Sequence, residues 1–447
     1  MTFGETSRRR GAVRSESGDS EFEAIESGSL DGGKRLRRRA WLARFCSFKL
    51  RVFVIVLFFF GVFGSVVHYV GLDTDTAEQV LAGSVKSSRS PLGSLALVFI
   101  AHDRPEYFRE SLASVLAARD VDKVDIYVSM DAPAHYAALE SVIGEFPSAS
   151  ISVWHNVMPF GNLFFQTSDD RITYHHKTIF RRVFEIARYD YAIMMESDLT
   201  VSTDFFEYMF AAGRLLVPTD ISLFCISGWN DNGMLHFVQD ESRLFRTDYF
   251  PGLGWMMHRS SWTDILVYEW PGRLGNYAYD IWLREHASTR FRDCIVPEVS
   301  RTHHIAKYGS HVNGLGHTWY DRMVLASGNV TIAPAEIELV GSMDAFEKRI
   351  IKERINPAKI VEFRDPFPIP YKKSIIVFMK DDASFLRRLV FGTPSNYYKT
   401  VQEAFGLFNA NTRSSHKGLV SKTLEDKRYG GTNVTLVSER MRTYWGL

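Results

Sequence analysis

"YDYAIMMESDLTVSTDFF", residues 189–206, decides the fold. Its apolar run from Tyr191 to Met195 reads as a buried strand. The run ends abruptly in Glu196-Ser197-Asp198 and turns apolar again at Leu199. An unpaired buried charge costs far more than packing returns, so the two carboxylates belong where a strand leaves the core, beside something positive. Spaced i, i+2, they point the same way. With a hard divalent ion they form part of an oxygen site, completed by water and phosphate oxygens. The plain alternative is an acidic, solvated strand end, and the triplet alone does not separate the two.

Working outward, "SLALVFIAHDRPEYFRESLASVL" (94–116) predicts a buried strand, Leu95–Ala101, then a turn and a helix with Phe108, Leu112 and Val115 on one face. "KVDIYVSMD" repeats the strand signature and ends in Asp131. "ALESVIGEF" reads as a helix, "SISVWHN" as a third strand and "YHHKTIFRRVFEIA" as a helix. Alternating strands and helices predict a parallel sheet flanked by helices. Ligands of such sheets bind at the carboxyl ends of the strands. Arg104, Asp131 and the Glu196/Asp198 pair all lie just past such ends. Beyond residue 216 the pattern breaks into loops and short strands dense in Trp, Gly and Asn. Residues 346–447 predict a smaller α+β portion with one clear strand, "SIIVFM", and a helix, "NYYKTVQEAFGLF".

Five motifs, in order, resemble the β-1,2-N-acetylglucosaminyltransferase I family, which also includes the enzyme that extends O-linked mannose: "ESDLTVSTDFFEYM", "CISGWNDNG", "LFRTDYFPGLGWMM", "YDIWLR" and "CIVPEVSRT". The resemblance covers about residues 95–320, with a fainter echo in "KDDASFLRRLVFG" and "SSHKGLVSKTL". It implies a GT-A glycosyltransferase fold with a Rossmann-like sheet, and inverting transfer of GlcNAc from UDP-GlcNAc in β-1,2 linkage to a terminal α-mannose of N-glycans. The alternatives are transfer to O-linked mannose on proteins, or an inactive sugar-binding relative.

Carried over residue by residue, the resemblance implies that Asp198 ligates Mn²⁺ and Glu196 contacts the sugar. Ser197 stands where an Asp usually touches the ribose; a hydroxyl can still bond ribose, with one negative charge fewer. Ile100, Asp131 and His175 match positions around the uracil, Arg104 one near the diphosphate and Ser310 one that contacts phosphate. Arg104 has a local alternative, pairing with Asp103, and His175 one as a packed helix histidine; His176 reads as surface. Asp280 matches the catalytic base, a carboxylate that takes the proton of the attacking hydroxyl. It also reads as an N-cap for a helix over Ile281–His286. Asp280-Ile281 resembles the O-mannose branch more closely. Trp229 and Trp255 suit a sugar face or the core equally. His303, His304 and His311 lack the Cys partners or helical spacing of a zinc site.

The three cysteines are Cys46, Cys225 and Cys294. By resemblance, Cys225 and Cys294 form a disulfide, worth about 4 kcal/mol by chain entropy. A second family disulfide falls on His102 and Ala132, so both of its halves are absent together.

The chain has 447 residues with a formal net charge of +1, and residues 1–51 hold 12 Lys/Arg against 7 Asp/Glu. The remainder is slightly acidic and gives no electrostatic footprint for nucleic acid. The basic cluster Lys34–Arg51 precedes an apolar run, Val52–Val70, about long enough to cross a bilayer. With the basic flank cytoplasmic, the expectation is a single-pass type II signal-anchor in the Golgi membrane. Residues 1–51 then form a largely disordered cytoplasmic tail, 52–70 the span, 71–93 a stem, 94–345 a lumenal catalytic domain and 346–447 the C-terminal portion. Sequons at Asn329 and Asn433 would face glycosylating enzymes in that topology.

Overall fold

Strand β1 (Leu95–Ala101) shows why the chain folds as it does. Its register runs parallel to β2 (Asp125–Met130) on one side and β4 (Tyr191–Glu196) on the other, pairing Phe99 with Met195 and Ile100 with Glu196. Leu97, Phe99 and Ala101 enter the core on one face of the sheet, Ala96 and Val98 the core on the other. A strand buried on both faces has to be apolar throughout, which explains the unbroken run. The computed structural model describes residues 90–156, 167–272, 278–286, 292–307, 319–364, 367–379, 401, 403–407, 413–424 and 430–447. The expected membrane span at 52–70, the tail and most of the stem lie outside these. Among the described residues no helix is long and apolar enough to cross a membrane.

Helix α1 (Pro105–Ala117) follows β1 with Pro at its first turn and buries Phe108, Leu112 and Val115, the face expected of it. Helix α2 (Tyr136–Gly144) leads to β3 (Ile151–His155), which pairs parallel with β2. Helix α3 (Ser168–Phe180) is capped by Thr167, whose hydroxyl accepts from the Asp170 N–H, and continues as a widened turn through Arg181–Ile186. After β4, the short β5 (Leu199–Val201) and helix α4 (Phe205–Gly213) lead to β6 (Leu223–Ser227), β7 (Leu244–Thr247) and β8 (Trp255–His258). Helix α5 (Tyr279–Glu285), β9 (Asp293–Pro297) and β10 (Thr302–His304) come next.

The main sheet has eight strands in the order β3-β2-β1-β4-β8-β6-β9-β7. The expected parallel sheet is therefore only half right: β8 runs antiparallel to both β4 and β6, and β7 antiparallel to β9. β8 arrives from the edge strand β7 by way of residues 248–254 and runs in the same sense as β7, passing β9 and β6 in the strand order to lie between β4 and β6. Gly254 leads into β8 at φ +81°, where a Cβ would lie 2.5 Å from Thr302 Cγ2.

Beyond α6 (Pro334–Gly341) and α7 (Met343–Ile350), a second sheet forms from β11 (Lys359–Ile360), β12 (Ser374–Met379), β13 (Leu419–Leu424) and β14 (Thr432–Ser438), in the order β11-β12-β14-β13. The expected strand "SIIVFM" is β12; most of the expected helix 396–408 lies outside the described residues. Ile375, Val377, Leu436 and Val434 share a core with Trp229, Met234 and Phe237, so this sheet closes over the "GWNDNG" loop.

Candidate active site

The site is built where β1, β2 and β4 end. Glu196 closes β4, and Ser197 N–H bonds back to the Ile100 carbonyl at 3.2 Å, so the triplet leaves the sheet beside the end of β1. The chain is held there by β5, which pairs antiparallel with β10 and sets Leu199 opposite His304. Beneath them Asp204 and Arg301, both buried, are joined through Arg301 Nε at 3.1 Å. That pair fixes the two-stranded ribbon of β5 and β10 on which the triplet rides.

Asp198 is 3 % exposed. Its Oδ2 takes the Arg104 guanidinium at 2.8 Å, and His304 Nε2 lies 3.7 Å away, stacked on Tyr320 at 4.6 Å. Asp198 Oδ1 is buried with no hydrogen-bond partner among the described residues. The positive group beside the triplet is thus Arg104, which reaches Asp198 more closely than Asp103, at 3.7 Å. For Glu196, burial, with the charges of Asp198 and Asp280 added, pushes the carboxyl up to about 8. Two carboxylates with an orphaned oxygen, partly balanced by one arginine, form a site short of positive charge.

Asp131 follows β2. His102 Nδ1 lies 2.6 Å from its Oδ1 and His175 Nδ1 3.4 Å from its Oδ2. Burial alone would raise its pKa, but these two imidazoles hold Asp131 well below the usual carboxylate range. His102 is raised in turn, chiefly by its bond to Asp131. His175 is buried on α3, its Nε2 2.9 Å from both Ser129 Oγ and Asn156 Nδ2. Ile100 sits half-buried at the same edge.

Asp280 lies in the first turn of α5, which starts at Tyr279 with Ala278 as its cap, so the N-cap reading of Asp280 is corrected. Arg284, one turn on, holds Asp280 Oδ2 at 2.6 Å and also donates to the Phe250 carbonyl. His176, expected at the surface, is buried: it stacks on Tyr279 at 3.9 Å, and burial lowers its pKa to about 4. The reason is that α5 packs on that side of α3. Trp229 and Trp255, each 1 % exposed, are core residues.

Ile100, Arg104, Asp131, His175, Glu196, Ser197, Asp198 and Asp280 thus gather around one end of the sheet. Ser310 and His311 lie outside the described residues. Cys225 and Cys294 stand opposite each other on β6 and β9, Cα atoms 4.6 Å apart, joined as a disulfide. Asn329 is exposed. Asn433 lies in β14, where its Oδ1 accepts from Arg354 at 2.6 Å and Thr423 at 2.7 Å. Sequence reasoning missed Tyr320 and Arg284, and considered His102 and His304 only as half of an absent disulfide and as part of a zinc cluster set aside. Only Arg284 carried a local signal, its i+4 spacing from Asp280.

Comparison with known proteins adds an independent line. The model of the GNT-I family matches residues 73–350. Over 222 residues the chain is 32% identical to the alpha-1,3-mannosyl-glycoprotein 2-beta-N-acetylglucosaminyltransferase of Arabidopsis thaliana, covering 48% of each chain. The chain thus spans about half the length of that curated relative. Similar solved structures include the mannosyltransferase PcManGT from Pyrobaculum calidifontis in complex with GDP-Man and Mn²⁺, 12% identical over 44% of this chain and 55% of that one, TM-score 0.28. Another is S. aureus TarS 1–349, 10% identical over 58% of this chain and 72% of that one, TM-score 0.33. At such scores the fold is judged from strand order and register instead.

Proposed function

Because the chain belongs to the GNT-I family, we propose that it is an inverting, metal-dependent glycosyltransferase of GT-A architecture. It moves GlcNAc from UDP-GlcNAc in β-1,2 linkage to a terminal α-mannose of N-glycans. The observation that carries this reading is the convergence of Asp198, Glu196 and Asp280 at the carboxyl end of the sheet, with Asp198 Oδ1 buried and, among the described residues, unpartnered.

That orphaned oxygen suits a divalent cation. Among the described residues no three His, Cys, Asp or Glu side chains gather to hold a metal by themselves. Asp198 would hold the ion as the protein's share, with donor phosphates and water completing the shell, and Mn²⁺ is the ion expected. When bound, the ion supplies Lewis-acid neutralisation of the charge that develops on the leaving diphosphate. Asp131, fully ionised, offers an acceptor to the N–H of uracil once His102 yields, with His175 bracing it from behind. Arg104 turns from Asp198 to the diphosphate, where a guanidinium fork matches phosphate oxygens. Ser197 offers its hydroxyl to the ribose and Glu196 its carboxyl to the donor sugar. Asp280, with Oδ2 held by Arg284, keeps Oδ1 for the proton of the attacking hydroxyl.

The apolar run 52–70 with its basic flank supports a single-pass type II anchor in the Golgi membrane, the catalytic domain 94–345 and the C-terminal portion 346–447 being lumenal. Asp280-Ile281 favours a second reading, transfer to O-linked mannose. The test is to incubate the full-length chain with UDP-GlcNAc and Mn²⁺ and offer a five-mannose N-glycan beside an O-mannosyl peptide. A GlcNAc mass increment on the N-glycan alone supports the proposal. Increment on the peptide alone replaces it with the second reading, and increment on neither, with UDP-GlcNAc still bound, points to the inactive sugar-binding relative.

A further inference from the structure

Away from the strand ends, a cavity of about 50 Å³ lies between the edge of the main sheet, α7 and β13, walled by Phe245, Val296, Phe346 and Leu419. That is several times the space one water needs. Its charged lining is almost wholly cationic: Arg243, Arg246, Arg349, Arg354, His416 and Lys422, against a single exposed carboxylate, Glu353. Three of the cations are matched. Arg246 is bound to Asp293 at 2.7 Å, Arg349 to Glu336 at 2.7 Å and His416 to Glu347 at 3.0 Å. Arg243 has only a loose contact, 3.9 Å from Glu298.

Two cations have only more distant counter-charge among the described residues: Glu298 acts on both through space, Asp231 on Lys422 and Glu353 on Arg354. Arg354 donates from Nη1 to Thr423 Oγ1 at 2.8 Å and Asn433 Oδ1 at 2.6 Å, both neutral acceptors. Lys422 is 7 % exposed, and its Nζ lies 5.4 Å from the centre of the Phe245 ring, itself part of the wall. Among the described residues no carboxylate lies within 4.0 Å of either. Burial lowers the Lys422 pKa to about 8, and desolvation, with Arg243 and Arg349 nearby, lowers that of Arg354. Lys422 is therefore still mainly protonated at neutral pH. A buried ammonium with no directly bound counter-ion is expensive.

We propose that this cavity is a binding site for a small inorganic oxyanion of the phosphate or sulfate class, held by Lys422 and Arg354. The ammonium supplies a point charge and the guanidinium a directional donor set, the combination tetrahedral oxyanions take. The anion would brace the C-terminal sheet on the main sheet. Asn230 and Ser414 line the same cavity and are bonded to each other at 3.1 Å, so the brace extends to the "GWNDNG" loop.

The test is a calorimetric titration of the full-length chain with inorganic phosphate at constant ionic strength, chloride making up the balance, alongside melting curves. Expected is saturable binding that raises the melting temperature, weakened at least tenfold in Lys422→Met and retained in Lys422→Arg. Arg104→Ala must leave it in place, since binding lost there belongs to the donor site. Where Lys422→Met does not fold, Arg354→Gln makes the same comparison. No saturable binding to the wild-type chain, or equal binding by Lys422→Met, overturns the proposal.

Discussion

Two regions of this molecule bury charge of opposite sign. At the carboxyl end of the main sheet, Glu196 and Asp198 leave the core together, and burial pushes Glu196 up to about 8. Under the C-terminal sheet, Lys422 and Arg354 face a mainly cationic cavity with no carboxylate within 4.0 Å of either among the described residues, and burial pulls Lys422 down to about 8. In each region desolvation disfavours the charged form, and in each a mobile partner of the other sign would relieve it. The difference lies in what already balances the site. The acidic end carries a resident arginine, Arg104, on Asp198, so a cation arriving there competes with part of the protein. Lys422 has no such direct ion pair within the described residues, only the more distant charges of Glu298 and Asp231.

Several substitutions break this comparison or sharpen it. The largest effect is expected for Asp280→Asn, which keeps the shape of α5 but removes the base. Transfer should fall by about 10²–10⁴-fold, with UDP-GlcNAc binding by calorimetry unchanged; near-normal turnover would remove Asp280 from that role. Asp204→Ala leaves Arg301 buried without its partner and should cost about 3–5 kcal/mol in denaturant unfolding, because the acidic triplet rests on that pair. Arg104→Ala separates the two duties of the arginine. It should bind free Mn²⁺ more tightly, since Asp198 loses its resident cation, yet bind UDP about tenfold or more weakly through the lost phosphate contact. Both constants weakening together would show that Arg104 holds the site's shape instead.

The remaining effect sits on the basic side. Lys422 has a folded-state pKa below its unfolded value of 10.5, so the unfolded chain binds the extra proton between about 8 and 10.5. Stability therefore rises with pH across that window. Lys422→Met should abolish this rise and add about 1–3 kcal/mol at pH 7, measured by chemical denaturation in chloride buffer without phosphate. A Lys422→Met chain that is no more stable, and keeps the rise above pH 8, would place the ammonium in contact with solvent or a hidden anion.

How much of this was legible follows from how local each cause is. β1 and β4 were readable because a strand buried on both faces must be apolar along its length, and the break at Glu196 was visible for the same reason. The direction of β8 was not readable, since it depends on β8 being inserted between β4 and β6, neither of which is its neighbour in the chain. His176 looked like a surface residue because α3 offered no sign that α5 would cover it. The pairing of Arg104 with Asp198 needs β1 and β4 side by side, and His304 needs β10 laid on β5, so both are facts of the fold. Lys422 in "GLVSKTL" reads as an ordinary strand lysine until Phe245 and α7 close over it.

The most direct measurement is calorimetric titration of UDP into the full-length chain, with and without Mn²⁺, for the wild type and Asp198→Ala. Tighter UDP binding in the presence of Mn²⁺, lost in Asp198→Ala while its melting temperature holds, is the expected result. UDP binding that ignores Mn²⁺ in the wild type, or a Mn²⁺ effect that survives in Asp198→Ala, would contradict a metal-assisted donor site at the end of β4.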